Sequence, residues 1–290
     1  MDGIIIINKP SGCTSHDIVY EVKKILKEKV GHTGTLDPMA TGVLPLLIGK
    51  GTLCSKYLIN HNKVYKVKLK LGEKTDTGDI EGNIINKKEV LKEMLYKEHI
   101  DKILKSFIGK QEQIPPIYSA VKVNGRKLYE YARKGEKVEV KPRKIEIYDI
   151  QLLKIIEKEQ IIEFNVSCSK GTYIRSLCEN IAERLKTAGY MAGLERIQVG
   201  NFHINQAITI EEMEKNISNK EFFVQHFMNI ETLFKNSKKI YLSNRKLQLF
   251  LNGVKLTQNY DDGVYRIYCD SNFIGLGIIQ NNLLKRDVII

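Results

Sequence analysis

The chain has 290 residues, of which 42% are apolar and 28% are charged, a composition typical of a globular protein and not of a disordered or membrane-spanning one. Forty-six Lys and Arg residues against 34 Asp and Glu residues give a formal net charge of +12, which favours a polyanionic partner. Only nine of these cations are Arg. A drift toward Lys, Ile and Asn would produce the same basicity without any partner, so charge alone leaves both interpretations open.

The cysteines are odd in number and form neither a C-x-x-C pair nor a cluster with zinc spacing. We therefore expect free thiols in a reducing cytoplasm. The isoleucines at residues 4–7 follow no basic segment and are too few to span a bilayer, so they predict a buried strand and no signal peptide.

The turn-forming residues 8–12 follow this strand. Thr14-x-x-Asp17 has the spacing of a capping box, and the apolar face after it predicts a helix. A glycine-rich segment at residues 31–42 comes next. The apolar run 42–49 predicts a buried strand that is interrupted at Pro45.

Residues 64–71 alternate most clearly, with Tyr65 on the apolar face and lysines on the other, and predict a strand. Apolar spacing predicts a helix or helix pair at 90–107. Strands are predicted at 145–150 and 161–168, followed by an apolar helical face from 174 to 185. This mixture indicates an α+β fold.

The pattern of predicted elements changes near Thr209. Thr209-x-x-Glu212 is a second capping-box signal and predicts the start of a short helix. Short strand patterns at 264–269 and 273–279 are separated by turn residues, with another turn at Asn281-Asn282. They predict a small β unit of about fifty residues at the C-terminus.

Three segments resemble cofactor or metal motifs but lack residues that those motifs require. Gly49-Lys50 lacks both the upstream Gly and the following Ser or Thr of a phosphate loop. Gly275 and Gly277 lack the last Gly and the helix of a dinucleotide site, and residues 76–82 lack calcium-loop spacing. The sequence therefore predicts no cofactor and no metal, so that an enzyme here works with side chains alone.

The segment 31–42 places glycines and a proline around one carboxylate, Asp37. Read by itself, it is typical of a surface turn. Its functional interpretation is a rigid loop that presents Asp37, with glycines allowing close approach of a ligand.

Several motifs decide between these interpretations, because in this order they resemble the TruB family of pseudouridine synthases. They are Asn8-Lys9-Pro10-x-Gly12-x-Thr14-Ser15, residues 31–44, Lys63-Val64-Tyr65-Lys66-Val67 with its basic position displaced by one, Lys74-Thr75-Asp76-Thr77-Gly78-Asp79, Pro115-Pro116-x-Tyr118-Ser119-Ala120-x-Lys122-x-x-Gly125, and residues 168–177. The resemblance covers essentially the whole chain.

The resemblance implies a pseudouridine synthase fold, with a mixed, mostly antiparallel sheet flanked by helices. It implies a catalytic domain at 1–232 and a PUA-like RNA-binding domain at 233–290. The reaction it implies is isomerisation of uridine 55 in the TΨC loop of tRNA on a flipped-out base, without cofactor.

The family resemblance assigns catalysis to Asp37 as nucleophile, Arg175 as its cation and Tyr65 as stacking partner and possible proton acceptor. The attacked atom is C6 of the base or C1′ of the ribose. Because burial alone would protonate Asp37, a neighbouring cation is required. For Tyr173 and Arg175 to share a face, residues 171–175 must be extended, so we expect the helix to start near 175 or 176.

The resemblance adds His32, Tyr173 and Leu194, with Tyr65, as substrate-binding residues. For Tyr65 and Leu194 the alternative is an ordinary core position. For His32 the alternative is a loop histidine that caps a turn, whereas the family places it in the space that the flipped base leaves.

A cationic stretch is expected to hold RNA phosphates. Its members are Lys122, Arg126, Lys127, Arg133, Lys134, Lys137, Lys141, Arg143 and Lys144. For each one singly, a solvated charge is the simpler interpretation.

The leading hypothesis is a stand-alone enzyme acting on the T-arm of tRNA, monomeric and without protein or membrane partners. A second hypothesis is a tRNA-binding or tRNA-folding protein whose catalysis is secondary. A third is the guide-RNA-dependent type of the same superfamily. Because such relatives usually carry extra N-terminal sequence and the first motif here starts at Asn8, the autonomous type is favoured.

Overall fold

A computed structural model describes residues 1–59 and 61–290. In chain order its strands are β1 (Gly3–Lys9), β2 (Val30–His32), β3 (Thr41–Ile48), β4 (Lys63–Leu71), β5 (Glu73–Thr75), β6 (Ile84–Lys87), β7 (Gly109–Gln113), β8 (Lys122–Val123), β9 (Arg126–Lys127), β10 (Arg143–Ile156), β11 (Ile161–Cys168), β12 (Gly189–Val199), β13 (Phe202–His203), β14 (Phe227–Asn229), β15 (Lys239–Tyr241), β16 (Leu256–Thr257), β17 (Gly263–Cys269), β18 (Asn272–Gln280) and β19 (Leu283–Ile289).

The α-helices are α1 (Ser15–Leu26), α2 (Ser55–Leu58), α3 (Lys97–Lys105), α4 (Leu128–Arg133), α5 (Ile174–Arg184), α6 (Ile210–Lys215), α7 (Lys220–His226), α8 (Ile230–Leu233) and α9 (Asn244–Leu251). Short 3₁₀ turns lie at Gly49–Cys54, Lys92–Leu95, Glu157–Glu159 and Ile204–Gln206. The predicted α+β class is confirmed.

One large sheet organises most of the chain, in the order β14-β1-β3-β12-β4-β11-β10-β7, with β13 on β12 and β2 on β3. Its pairings are antiparallel except that of β12 with β3. β12 therefore lies between β3 and β4, although both precede it by more than a hundred residues. Leu36 and Ala40 of the loop before β3 nevertheless lie in one core cluster with Tyr65 of β4.

The predicted first strand and the two predicted capping boxes are confirmed. The isoleucines of β1 are buried in the sheet. Thr14 caps α1 as the first half of a capping box, its hydroxyl accepting from the Asp17 amide at 3.1 Å while the Asp17 carboxylate accepts from the Thr14 amide at 2.7 Å. Thr209 caps α6 in the same way with Glu212.

The alternation of β4 is also confirmed, because its odd-numbered residues are buried and its lysines 66, 68 and 70 are not. Tyr65, Val67 and Leu69 pack with β11 and α5 in a core cluster that also contains Leu36 and Ala40. The base of the Asp37 loop is thus part of the main core.

The prediction that Pro45 interrupts its strand is wrong. β3 runs through Pro45, which lies opposite Ile6 of β1. On its other edge, β12 pairs only with residues 41 and 42 of β3 and β2 only with residues 46–48. No neighbouring strand on that edge requires an N–H at position 45, so proline is accommodated there.

A separate sheet, in the order β15-β17-β18-β19-β16, forms the small C-terminal β unit that the sequence predicts. Lys56 and Tyr57 both bind Asp287 of this unit, and Cys54 packs with Ile230, Leu276 and Val288. The assignment of residues 1–232 and 233–290 as two domains stays a prediction. In the described residues, no helix is both long and apolar enough to cross a membrane.

Candidate active site

Asp37 lies in a loop that is held by hydrogen bonds from residues of the preceding motif. The Gly12 amide donates to the Pro38 carbonyl at 3.0 Å. The Ser15 hydroxyl accepts from the Leu36 amide at 2.8 Å and donates to the Leu36 carbonyl at 3.2 Å. The two N-terminal motifs therefore meet in space, and the first holds the loop of the second.

Lys9 also holds this loop, through hydrogen bonds of its ammonium group. Its side chain is fully buried, and its Nζ donates to the carbonyls of Pro10 at 2.8 Å and Pro38 at 3.1 Å. Burial lowers the pKa of Lys9, while neighbouring anionic groups including Asp37 oppose that decrease. A buried ammonium thus lies behind the loop that carries Asp37.

Arg175 contacts Asp37 directly, as the resemblance requires. Its Nε lies 3.2 Å from Asp37 Oδ2, and its NH2 lies 3.5 Å from Asp37 Oδ1. The same guanidinium reaches Asp79 Oδ2 at 3.4 Å, and it donates to the carbonyls of Thr77 at 3.3 Å and Tyr118 at 2.9 Å. One cation therefore joins two carboxylates and two loops.

The expected local geometry around Arg175 is only partly correct. A turn follows β11, with Gly171 at a φ of +79°, so residues 171–175 are not extended throughout. Tyr173 is extended and occupies the N-cap position of α5 without a side-chain cap, and the helix begins at Ile174, one residue earlier than expected. Arg175 can be helical and still reach Asp37 because the turn reorients the chain before the helix starts.

The electrostatics of Asp37 combine opposing effects. Burial raises the pKa of Asp37 most, Arg175 and Lys9 lower it, and Asp79 raises it, with a net increase. The side chain keeps 34% exposure. Asp37 is therefore an accessible carboxylate whose charge depends on Arg175.

Tyr65 lies in the core position that was one of the two alternatives for it. Its side chain is in the core cluster and only 8% exposed. Burial raises the pKa of its phenol, Arg196 opposes that increase, and Asp37 adds to it. Its catalytic role stays a prediction.

The other candidate binding residues lie around the same region. The His32 Nδ1 accepts from the Gly34 amide at 3.4 Å, which is the turn-capping interaction, and burial lowers the pKa of His32. Gln113 holds Tyr173 by hydrogen bonds of 2.8 and 3.0 Å to its backbone. Leu194 lies opposite Val67 in the sheet and packs against the core cluster.

A cleft of about 510 Å³ opens beside the Asp37 loop. It is lined by residues 32–35 of that loop and by cations, namely Lys63, Arg143, Lys144 and Lys170. Burial, with a contribution from Arg196, lowers the pKa of Lys63 to about 8.

Of the predicted cationic stretch, only Arg143 and Lys144 are among the described residues that line this cleft. Arg126 instead pairs with Glu136 at 2.9 Å and stacks on Tyr131.

Sequence reasoning missed Asp79 and Arg196. Asp79 is the last residue of the Lys74–Asp79 motif and is buried against Arg175. Arg196 follows Leu194 by two positions, so the two share a strand face. That period-two spacing is the signal that would have pointed to Arg196.

Comparison with known proteins decides the family. Residues 23–174 match the N-terminal domain of the TruB family pseudouridylate synthases, and residues 175–235 match the tRNA pseudouridylate synthase B C-terminal domain. The chain belongs to the TruB family. It is accordingly a pseudouridine synthase, which is an isomerase.

Relatives of this TruB chain agree over nearly its full length. A protein from Clostridium kluyveri named tRNA pseudouridine synthase B is 43% identical over 98% of both chains. One of the same name from Clostridium perfringens is 44% identical over 96% of this chain and 95% of the relative. A chain in the crystal structure of a Cbf5-Nop10-Gar1 complex is 25% identical with a TM-score of 0.69, over 99% of this chain and 83% of that one. The predicted family and fold are confirmed.

Proposed function

We propose that this TruB chain isomerises uridine 55 in the TΨC loop of tRNA to pseudouridine, with Asp37 as nucleophile on an extruded base. The observation that carries the proposal is the 3.2 Å ion pair of Arg175 with Asp37, in a loop whose residues 32–35 line a cationic cleft. The names of its relatives support tRNA as the substrate.

The reaction needs no external reactant. The N1–C1′ bond breaks, the uracil turns, and C5 bonds to C1′. C5 loses its proton and N1 gains one, so substrate and product have the same composition. The carboxylate of Asp37 attacks C6 or C1′, and an ionised, water-shielded group is required for either attack.

Arg175 and Lys9 supply the ionisation. Burial raises the pKa of Asp37 and these cations oppose the increase. Arg175 also orients the Asp37 carboxylate, because the contacts of the guanidinium with Asp79 and two carbonyls leave it little freedom to move.

The remaining candidate residues receive substrate roles. Tyr65 stacks on the flipped uracil and is the candidate acceptor for the C5 proton. Tyr173 and Leu194 complete the pocket around the base, and His32 fills the space that the base leaves. Extrusion costs least from a loop, so recognition depends on shape and stacking.

We further propose a stand-alone cytoplasmic monomer without cofactor or protein partner, acting on the T-arm. The autonomous assignment is supported by identities of 43% and 44% to the tRNA pseudouridine synthase B proteins, against 25% to the Cbf5-Nop10-Gar1 complex.

Tritium release from tRNA labelled at uridine C5 tests the proposal. Wild type is expected to release tritium, and Asp37→Asn and Asp37→Ala are expected to lose it. A tRNA with cytidine at position 55 is expected to give no release with wild type. Equal release from all three proteins would end the assignment of Asp37. Equal rescue of misfolded tRNA by wild type and Asp37→Asn, with no release by either, would instead support the folding role.

A further inference from the structure

Arg196 is a buried cation that the proposed chemistry does not use. Its side chain is 1% exposed, and among residues 1–59 and 61–290 none of the ion pairs within 4 Å involves Arg196. Burying a charge without a counter-ion is costly. The contacts of the guanidinium therefore need an explanation.

These contacts bracket Asp37. Nε donates to the Val43 carbonyl at 2.8 Å, after the loop, while NH2 donates to the Gly34 carbonyl at 3.0 Å, before it. NH1 lies 3.5 Å from the Thr35 carbonyl. One planar group thus fixes the spacing between the two ends of the segment that presents Asp37.

The same side chain is also a neighbour of Tyr65. Arg196 on β12 lies directly opposite Tyr65 on β4 in the sheet register. The positive charge of Arg196 opposes the increase that burial causes in the pKa of the Tyr65 phenol.

We infer that Arg196 is a positioning residue for the isomerisation, setting the Asp37 loop and the Tyr65 phenol relative to each other. The inference rests on the proposed function. Because Arg196 is buried beneath these groups, it acts through them and not on RNA. Its loss is expected to lower the rate of the chemical step while RNA affinity is retained.

The test compares Arg196→Met, Arg196→Lys and the control Arg184→Met, an exposed arginine on α5. We expect Arg196→Met to reduce the single-turnover rate constant roughly 100-fold, as misplaced catalytic groups do. The Kd for a T-arm hairpin should change less than about 3-fold, since the side chain of Arg196 is buried and is not exposed to contact RNA. Arg196→Lys keeps the charge but cannot span three carbonyls, so its rate should be intermediate.

A double-mutant cycle separates positioning from general damage. If Arg196 acts through Tyr65, the losses in rate of Arg196→Met and Tyr65→Phe are less than multiplicative. Multiplicative losses, or a wild-type rate in either Arg196 variant, overturn the inference. If Arg196→Met does not fold, as thermal unfolding reports, Arg196→Lys and its cycle with Tyr65→Phe decide the question.

One readout does not depend on catalysis. Burial, Arg196 and His16 all lower the pKa of His32, so this pKa, followed by NMR, should rise in Arg196→Met and stay unchanged in Arg184→Met. An unchanged His32 pKa in Arg196→Met overturns the inferred placement of this charge. An inactive wild type together with a shifted His32 pKa would refute the proposed function and leave the placement of Arg196 supported.

Discussion

Replacing Arg175 with Met removes the cation that Asp37 and Asp79 share. At 3.2 Å and an effective dielectric constant of about 20, the attraction to Asp37 is about 5 kcal/mol before desolvation and exposure reduce it. Asp79, with a side chain 6% exposed, would lose its ion-pair partner. Breaking a buried pair from one side costs about 3–5 kcal/mol, or a decrease in Tm of roughly 6–20 °C.

The change also predicts a direction with pH. The pKa of Asp37 already lies above its ordinary value, and Arg175 lowers it. Without Arg175 this pKa rises further, so the acid limb of the single-turnover rate moves to higher pH. The assay is tritium release between about pH 6 and pH 9, in which the variant should recover part of its rate as pH rises.

Two further variants serve as controls for Arg175→Met. Arg184→Met makes the same chemical change on the exposed face of α5 and should keep the wild-type rate and pH profile. Adding Asp79→Asn to Arg175→Met removes the stranded carboxylate and should restore part of the stability. An Arg175→Met protein with wild-type rate and an unmoved acid limb would refute the reasoning.

Other expectations follow from particular contacts. Gly42→Ala should destabilise by at least about 2 kcal/mol in urea unfolding, since its φ is +104° and a Cβ would lie 2.3 Å from the Arg196 carbonyl, whereas Gly12→Ala, with φ +85° and open space, should cost less. Thr14→Ala should cost about 1 kcal/mol in the same measurement through loss of its cap. T-arm affinity should fall as pH rises through about 8, where Lys63 loses its charge, and Lys63→Met should abolish that dependence. The logarithm of the affinity should fall steeply with the logarithm of salt concentration, and a flat response would contradict the cationic cleft.

The elements that the sequence predicted best are those that local rules determine. The alternation of β4 and the capping boxes at Thr14 and Thr209 each depend on residues within a few positions of one another. Pro45 was misjudged because the permissive factor is nonlocal, namely which strands lie beside β3 at that position. The start of α5 was misjudged by one residue because the turn at Gly171 reorients the chain.

In the candidate site, too, some features could be predicted from the sequence and others could not. The resemblance pointed to the contact of Arg175 with Asp37, which the structure contains. The burial of Lys9 and Arg196 was not predicted. For Arg196 the period-two spacing from Leu194 was an available signal, whereas the carbonyls that surround the Lys9 ammonium come together only in the folded chain.

The insertion of β12 between β3 and β4 has a consequence for biosynthesis. The ribosome delivers Asp37 and Tyr65 long before residues 189–199, and the strand that links their positions cannot add to the sheet until it has emerged. A nascent chain therefore holds Asp37 and Tyr65 before β12, which pairs with both β3 and β4, can join the sheet. We expect the arrangement of these two residues to form only after residues 189–199 have emerged from the ribosome.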